Sequence, residues 1–424
     1  MKQLMLKIIA DFHESSIPDL IERELKIPLE IEKIITVIGP RRAGKTYFLF
    51  QIMKNLLEKG ISKKHVLYVN FEDERFDFHN NYDVILESYL SLYPEINLSD
   101  VHIFFDEIQE LPGWEKFVRR LYEQTTKHIF ISGSNSKFLS TEIATSLRGR
   151  CITIELLPLS FSEYLKFLKI KTTQIHSTKK QAQIANAFEN YIFWGGYPEI
   201  VNIELPYKRE ILQEYFNVMI YRDIIERYQI GNVALLKYVL KRLLSSFSKE
   251  YSANKIHNEL KSKGFSIGKD GLYQLLDHIL SVYMVTYIEK YDPSVVRREM
   301  MNRKIYTFDN GLITANRVTL NEDRGKLLEN IVFQHLRRKK FEIYFLKNGW
   351  ECDFIFINDK NQIGLIQVVD ELNIDNVERK IKGLKSSSKI VNAEKQFLIY
   401  NSKAPIIRIS EQIQSMPVWE WLLS

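Results

Sequence analysis

Residues 33–48 read KIITVIGPRRAGKTYF. The apolar and β-branched run Ile34–Ile38 enters a loop with glycine at positions 39 and 44, and Lys45-Thr46 then opens an amphipathic stretch, TYFLFQIMKNLLEKG. Gly39-Pro40-Arg41-Arg42-Ala43-Gly44-Lys45-Thr46 fits the phosphate-binding pattern G-x-x-x-x-G-K-[ST], and it stands where that pattern has meaning, after a strand and before a helix. The two glycines let the loop curl so that backbone N–H groups face phosphate oxygens. Lys45 brings a point charge to the β- and γ-phosphates, and Thr46 offers a hydroxyl to Mg²⁺. The helix that follows adds the positive end of its dipole. Residues 39–46, with Tyr47 after them, are therefore the expected contacts of ATP.

Downstream, strand-like runs alternate with helices: KHVLYVNFED, VHIFFDE, KHIFISGSN and CITIELLPLS follow the loop in turn. Near-continuous apolar strands interleaved with helices predict an α/β fold, a parallel P-loop NTPase sheet covered by helices on both faces. Residues 1–30 read as polar, amphipathic helix. Together these segments predict a P-loop domain over 1–158.

A P-loop needs a carboxylate on a neighbouring strand. VHIFFDE delivers Asp106 and Glu107 to a strand's C-terminal end. Asp106 is expected to hold Mg²⁺, largely through water, and Glu107 to orient and polarise the attacking water. The competing reading is an acid pair at a helix start. At the end of IFISGSN, Asn135 is the first choice for a polar sensor of the γ-phosphate and Ser134 the second, unless the segment is simply a turn. In SLRGR, Arg148 and Arg150 precede strand five. There a guanidinium can reach the phosphates of a neighbouring subunit as an arginine finger, which implies a homo-oligomer; the alternative is a surface pair in a loop.

These segments, GPRRAGKT, IFFDEIQELPGWEKFVRRL, SGSN, SLRGR and ELLPLSFSEYL, resemble the AAA-type ATPases of archaea and bacteria related to the STAND class, in which WGGYPEIV and YRDIIERYQI also recur. The resemblance runs from about residue 20 to the end. It implies ATP hydrolysis, with a winged-helix segment and a restriction-endonuclease-like domain after the ATPase.

Residues 159–235 read as a helical lid or connector. In 236–315, LKYVLKRLLSSF, ANKIHNELKSKG and GKDGLYQLLDHILSVY precede the strand-like runs MVTYIEKY and RKIYTFDN. Three helices and then a hairpin is the order of a winged helix-turn-helix. Residues 236–310 hold 13 Lys/Arg against 8 Asp/Glu, nearly all of the chain's net +6. On such a module Lys269, Tyr273 and Gln274 would face a DNA groove, and Arg297, Arg298, Arg303 and Lys304 would meet phosphates near the wing. The alternative is a packing module with ordinary solvated cations.

From 316 to the end the pattern is α/β again. Restriction-type nucleases use an acid on a first helix, an Asp at a strand start and E-x-K on the next strand, for metal binding and water activation. The chain offers Glu329 and Asp353, but Gln367-Val368-Val369 where E-x-K belongs. A degenerate site, Glu329, Asp353 and Gln367, without cleavage is expected. Lys380 or Lys382 is conceivable as a relocated lysine, and nothing in the sequence singles either out.

Only Cys151 and Cys352 occur, and no C-x-x-C pair, which argues against cysteine zinc sites and a disulfide framework. No apolar run of about 18 residues suggests a membrane span, and the N-terminus lacks a signal peptide, so a cytoplasmic protein is expected. The combined expectation is an Mg²⁺-dependent ATPase that switches C-terminal DNA-binding domains. Two alternatives stay open: a nucleotide-operated switch for a protein partner, and an ATP-regulated nuclease.

Overall fold

The computed structural model describes residues 1–78, 81–134, 147–173, 177–316, 324–401 and 411–424. These form two compact units, Met1–Leu157 and Pro158–Ser424.

The first unit contains helix α1 (Lys2–Glu14), strand β1 (Ile34–Ile38), α2 (Lys45–Glu58), β2 (Val66–Asn70), α3 (Asp83–Leu92), β3 (His102–Asp106), α4 (Trp114–Gln124), β4 (Ile129–Gly133) and β5 (Cys151–Glu155). The strands form one parallel sheet in the order β2-β3-β4-β1-β5. Every residue of β1, β3 and β4 is buried, as strands covered on both faces must be. Parallel pairing brings the C-terminal ends of β1, β3 and β4 to the same edge, so Gly39, Asp106-Glu107 and Ser134 converge there although up to 95 residues of chain separate them. The helix expected over 1–30 ends at Glu14. Pro18 and Pro28 lie in the irregular stretch that follows, where proline's missing N–H and fixed φ oppose helix.

The second unit begins with helices α5 (Phe161–Phe167), α6 (Thr178–Trp194) and α7 (Leu205–Val218), then a π-helical segment Met219–Glu226. Next come α8 (Val233–Ser245), β6 (Glu250–Tyr251), α9 (Ala253–Ser262), α10 (Lys269–Ser281), β7 (Thr286–Lys290), α11 (Val295–Met300), β8 (Arg303–Tyr306) and α12 (Asn310–Ala315). It finishes with α13 (Arg324–Arg338), β9 (Glu342–Lys347), β10 (Glu351–Ile357), β11 (Ile363–Val369), α14 (Ile374–Val391), β12 (Lys395–Tyr400), β13 (Gln414–Pro417) and α15 (Val418–Leu422). The three helices and two strands read from residues 236–310 are all present, with two additions: the short strand β6 between α8 and α9, and α11 in the connection between β7 and β8.

One sheet, in the order β13-β12-β11-β10-β9-β7-β8-β6, spans this unit. Its two halves join where β7 pairs in parallel with β9, Glu289 opposite Tyr344 and Lys290 opposite Phe345. The boundary expected near residue 315 therefore falls inside a continuous sheet. Helices from 159–201 likewise share an apolar core with α13 and the strands, through Phe161, Phe188, Ile331 and Phe354.

No helix among the described residues is long and apolar enough to cross a membrane.

Candidate active site

At the edge where β1 ends, Gly39 has φ of 155° and a Cβ there would lie 2.0 Å from the Leu156 carbonyl oxygen, so only glycine lets β1 turn into the loop beside the end of β5. Gly44, with φ of 93°, precedes α2, and no side chain caps that helix. Its first-turn N–H groups are thus offered to an anion, which fits a nucleotide phosphate. Arg23, unnoticed in the sequence, braces the loop: its guanidinium donates to Ala43 O at 2.9 Å and Leu157 O at 2.6 Å. Arg41 pairs with Glu72 at 3.0 Å, whereas Arg42 and Tyr47 are exposed.

Lys45 is buried and its ammonium donates to Pro40 O at 3.1 Å. It lies 3.3 Å from Glu107 Oε1. Asp106 is wholly buried and accepts from Ser132 Oγ, from the Thr46 hydroxyl and from Tyr68 OH, the last at 3.2 Å. Burial pushes the Asp106 carboxyl up, against the Ser132 and Thr46 hydrogen bonds. Burial acts the same way on Glu107, but the Lys45 charge and a hydrogen bond from Gln109 outweigh it and hold Glu107 below the usual range. Thr46 and Asp106 thus fit a divalent cation, one hydroxyl and one carboxylate already in contact, and Glu107 stays ionised as a base requires. Ser134 is buried at the end of β4. Asn135 lies outside the described residues.

The arginines sit elsewhere. Cys151 is level with Ile34 at the start of β1, and Ile34 N donates to Arg150 O at 2.9 Å. The P-loop starts five residues further along β1, about 16 Å away at ~3.3 Å per residue. The register therefore puts both arginines at the edge of the sheet opposite the P-loop of their own chain. Arg150 is paired with Glu123 at 2.7 Å, and Arg148 is exposed with φ of 50°.

In the second unit, Lys269, Tyr273 and Gln274 project from the exposed face of α10, opposite the buried Leu272, Leu275, Leu276 and Ile279. The expected phosphate contacts are less uniform. Arg297 is exposed and bonds Asp292 at 3.0 Å. Arg298 donates to Tyr344 OH at 2.6 Å, and Arg303 lies 4.1 Å over the Tyr287 ring. Lys304 is a correction. Its side chain is only 4% exposed, and its ammonium meets Glu329 Oε1 at 2.7 Å and Glu351 Oε1 at 3.3 Å. Strand alternation turned it inward, where the largely buried Glu329 and the more exposed Glu351 compensate its charge.

Lys304 thereby joins the degenerate nuclease constellation. Glu329 also accepts from Tyr306 OH at 2.6 Å. Asp353 accepts from Val368 N at 2.8 Å and from Lys380 Nζ at 2.9 Å. Lys380 also donates to Gln367 Oε1 at 2.8 Å, and Gln367 Nε2 donates to Glu351 O. So α14 does bring a lysine to the cluster, and it is Lys380. Burial, with the nearby Asp353 charge, holds Glu329 above its usual range against Lys304. Burial also works on Asp353, but the Lys380 and Lys304 charges keep it low. Among the described residues no group of three or more His, Cys, Asp or Glu is arranged to hold a metal ion.

Residues 31–165 match the AAA domain family. Two domains of unknown function match residues 185–323 (DUF8612) and 324–421 (DUF4143). An uncharacterized protein of Methanocaldococcus jannaschii is 36% identical over 420 residues, covering 96% of this chain and 91% of that protein. The chain belongs to the same family as that protein. Its AAA domain is the segment that carries the P-loop and the Asp106-Glu107 pair. A second relative, an uncharacterized protein of Haemophilus influenzae, is 28% identical over 340 residues, 80% of this chain and 83% of its own length. Among solved structures, the Aeropyrum pernix Orc1 protein in complex with DNA aligns at a TM-score of 0.33 and 14% identity, over 74% of this chain and 91% of that one.

Proposed function

We propose that this protein is an Mg²⁺-dependent ATPase whose nucleotide cycle switches DNA engagement by the unit Pro158–Ser424. The observation that carries the reading is the pairing of two P-loop residues with two strand-end acids: Lys45 with Glu107 at 3.3 Å, and the Thr46 hydroxyl with Asp106. Mg²⁺, when bound, supplies the charge that neutralises the β- and γ-phosphate oxygens; Thr46 and Asp106 would hold it. Lys45 binds the phosphates, and the N–H groups of the loop and of α2 orient them. Glu107 takes the proton of the attacking water, for which its ionised state is the competent one. Lys45→Ala is expected to abolish nucleotide binding. Glu107→Gln is expected to keep binding and lose turnover by about 10²–10⁴-fold. Equal hydrolysis by wild type and Glu107→Gln would refute the assignment.

The DNA half of the reading rests on the helix order α8, α9, α10 followed by β7 and β8, which we take as a winged helix, and on the exposed side chains of α10. A switch acting on a protein partner is the second reading. It is favoured by the inward turn of Lys304 and by the docking of Arg298 on Tyr344, which shrink the expected phosphate-binding set. ATPase rates with single-stranded, duplex and branched DNA separate the two: stimulation supports the first, and indifference to every form supports the second.

We read residues 316–424 as a restriction-endonuclease-like fold retained without cleavage. Lys380 stands beside Asp353, but position 367 offers an amide, and Lys304 spends its charge on Glu329. Cleavage of plasmid DNA with Mg²⁺ or Mn²⁺ that stops in Asp353→Ala would overturn this.

A further inference from the structure

Gln109 follows Glu107 by two residues, in the turn Ile108–Glu110 that leaves the end of β3. Its Nε2 donates to Glu107 Oε2 at 2.6 Å and stands 3.4 Å from Ser134 Oγ at the end of β4. The carboxylate fixes the sense of the amide, since only the NH₂ end can donate to it. The other end, Gln109 Oε1, is buried without a hydrogen-bond partner among the described residues. Glu107 itself has φ of 49°, a left-handed conformation that turns its side chain back toward the P-loop lysine, and its backbone N–H is held by Ser132 Oγ at 3.0 Å.

The two oxygens of Glu107 thus have different partners: Oε1 faces the Lys45 ammonium, and Oε2 the Gln109 amide. Lys45 cannot serve Glu107 and a β/γ-phosphate fully at once. When phosphate oxygens draw its donors away, Glu107 loses the charge that held Oε1. The Gln109 contact does not depend on that lysine, because a carboxamide two residues away moves with the same turn; its Nε2 also lies 3.4 Å from Ser134 Oγ and 3.5 Å from Glu110 Oε1, both longer than the 2.6 Å to Glu107. Loss of both anchors would leave a carboxylate free to rotate, and general base catalysis needs the acceptor held within hydrogen-bond reach of the water.

Building on the ATPase reading, we propose that Gln109 is the positioning residue for Glu107, holding its carboxylate in place for the attacking water when nucleotide phosphates engage Lys45. The unpartnered Oε1 gives the same amide an acceptor for the second O–H of that water. One side chain then fixes both the base and the nucleophile.

The test is steady-state ATP hydrolysis, with ATP affinity measured separately, on the full chain carrying Gln109→Ala or Gln109→Glu. The second variant matches glutamine in shape and cannot donate when ionised, so it serves if the first fails to fold. Both are expected to bind ATP within about twofold of wild type and to lose about 10–100-fold in kcat. The loss should fall on kcat alone, because Gln109 acts on the carboxylate that handles the water and not on the groups that bind the nucleotide. Unchanged kcat, faster turnover, or a loss shared between kcat and ATP affinity would overturn the proposal; the last is what a merely structural role produces. Equal rates for wild type and Lys45→Ala would instead refute the ATPase reading itself, whatever Gln109 does.

Discussion

Lys304 Nζ lies 2.7 Å from Glu329 Oε1, tying strand β8 to helix α13 with the lysine side chain 4% exposed. The same ammonium reaches Glu351, so the cluster of carboxylates carries its own counter-ion. Burial alone would make this lysine give up its proton, but Glu329, Asp353 and Glu351 hold its affinity for the proton above normal.

Removing that counter-ion should destabilise the second unit. Lys304→Met is expected to cost about 3–5 kcal/mol by denaturant unfolding, because breaking a buried pair leaves an uncompensated charge. The loss should be smaller at pH 5 than at pH 8, since Glu329, already raised by burial, can then take up a proton and shed its charge. A change under 0.5 kcal/mol would mean the pair is solvated.

Arg148 and Arg150 precede β5, at the edge of the sheet remote from the P-loop. If either acts on nucleotide, it acts on a neighbouring subunit. Turnover per subunit should then rise with protein concentration, and Arg148→Ala should lower hydrolysis with little change in ATP affinity. A monomer with concentration-independent turnover would remove both residues from the site. Arg148 is the better candidate, because Arg150 is already paired with Glu123 at 2.7 Å.

Lys269 on α10 and Arg297 on α11 are the exposed cations of the proposed DNA surface. Neutralising both should weaken binding and flatten its salt dependence by about 0.9 per lost phosphate contact in the log–log slope. Lys304→Met, compared at a temperature where it is folded, should leave that slope alone. An unchanged slope in the double variant would move the footprint elsewhere.

His335 on α13 lies against Trp421, ring centroids 4.7 Å apart. Burial, with the Lys339 and Arg338 charges adding to it, pushes its pKa down to about 3. Below the unfolded value near 6.5 the unfolded chain takes a proton that the native imidazole refuses. This contribution to stability is whole above pH 6.5 and is lost as pH falls toward the folded value. Unfolding measured at pH 8 and pH 5 should show wild type losing about 1–2 kcal/mol more than His335→Phe. Parallel losses in the two proteins would show that His335 is solvated.

The P-loop and the Asp106-Glu107 pair were legible in the sequence because their chemistry is contiguous. A β-run, a glycine loop and a helix start lie within sixteen residues, and an apolar strand ends on its two acids. Local sterics and hydrophobic period decide such segments before any packing. Most strands of both units were readable for the same reason; the short β6 and β13 were not, having too few residues to show a period. Tertiary structure alone decided what meets across the chain. In RKIY the pattern shows a strand but not which neighbour its lysine faces; pairing with β7 and packing under α13 turned Lys304 to Glu329. Lys380 reaches Asp353 because α14 lies along β10 and β11, and Arg23 links Ala43 to Leu157 across a segment with no regular structure. A charge in a sequence has a sign but no address. Its partner is set by which side chains fall within about 4 Å once the sheet closes, and there desolvation makes an unpaired charge too costly to keep.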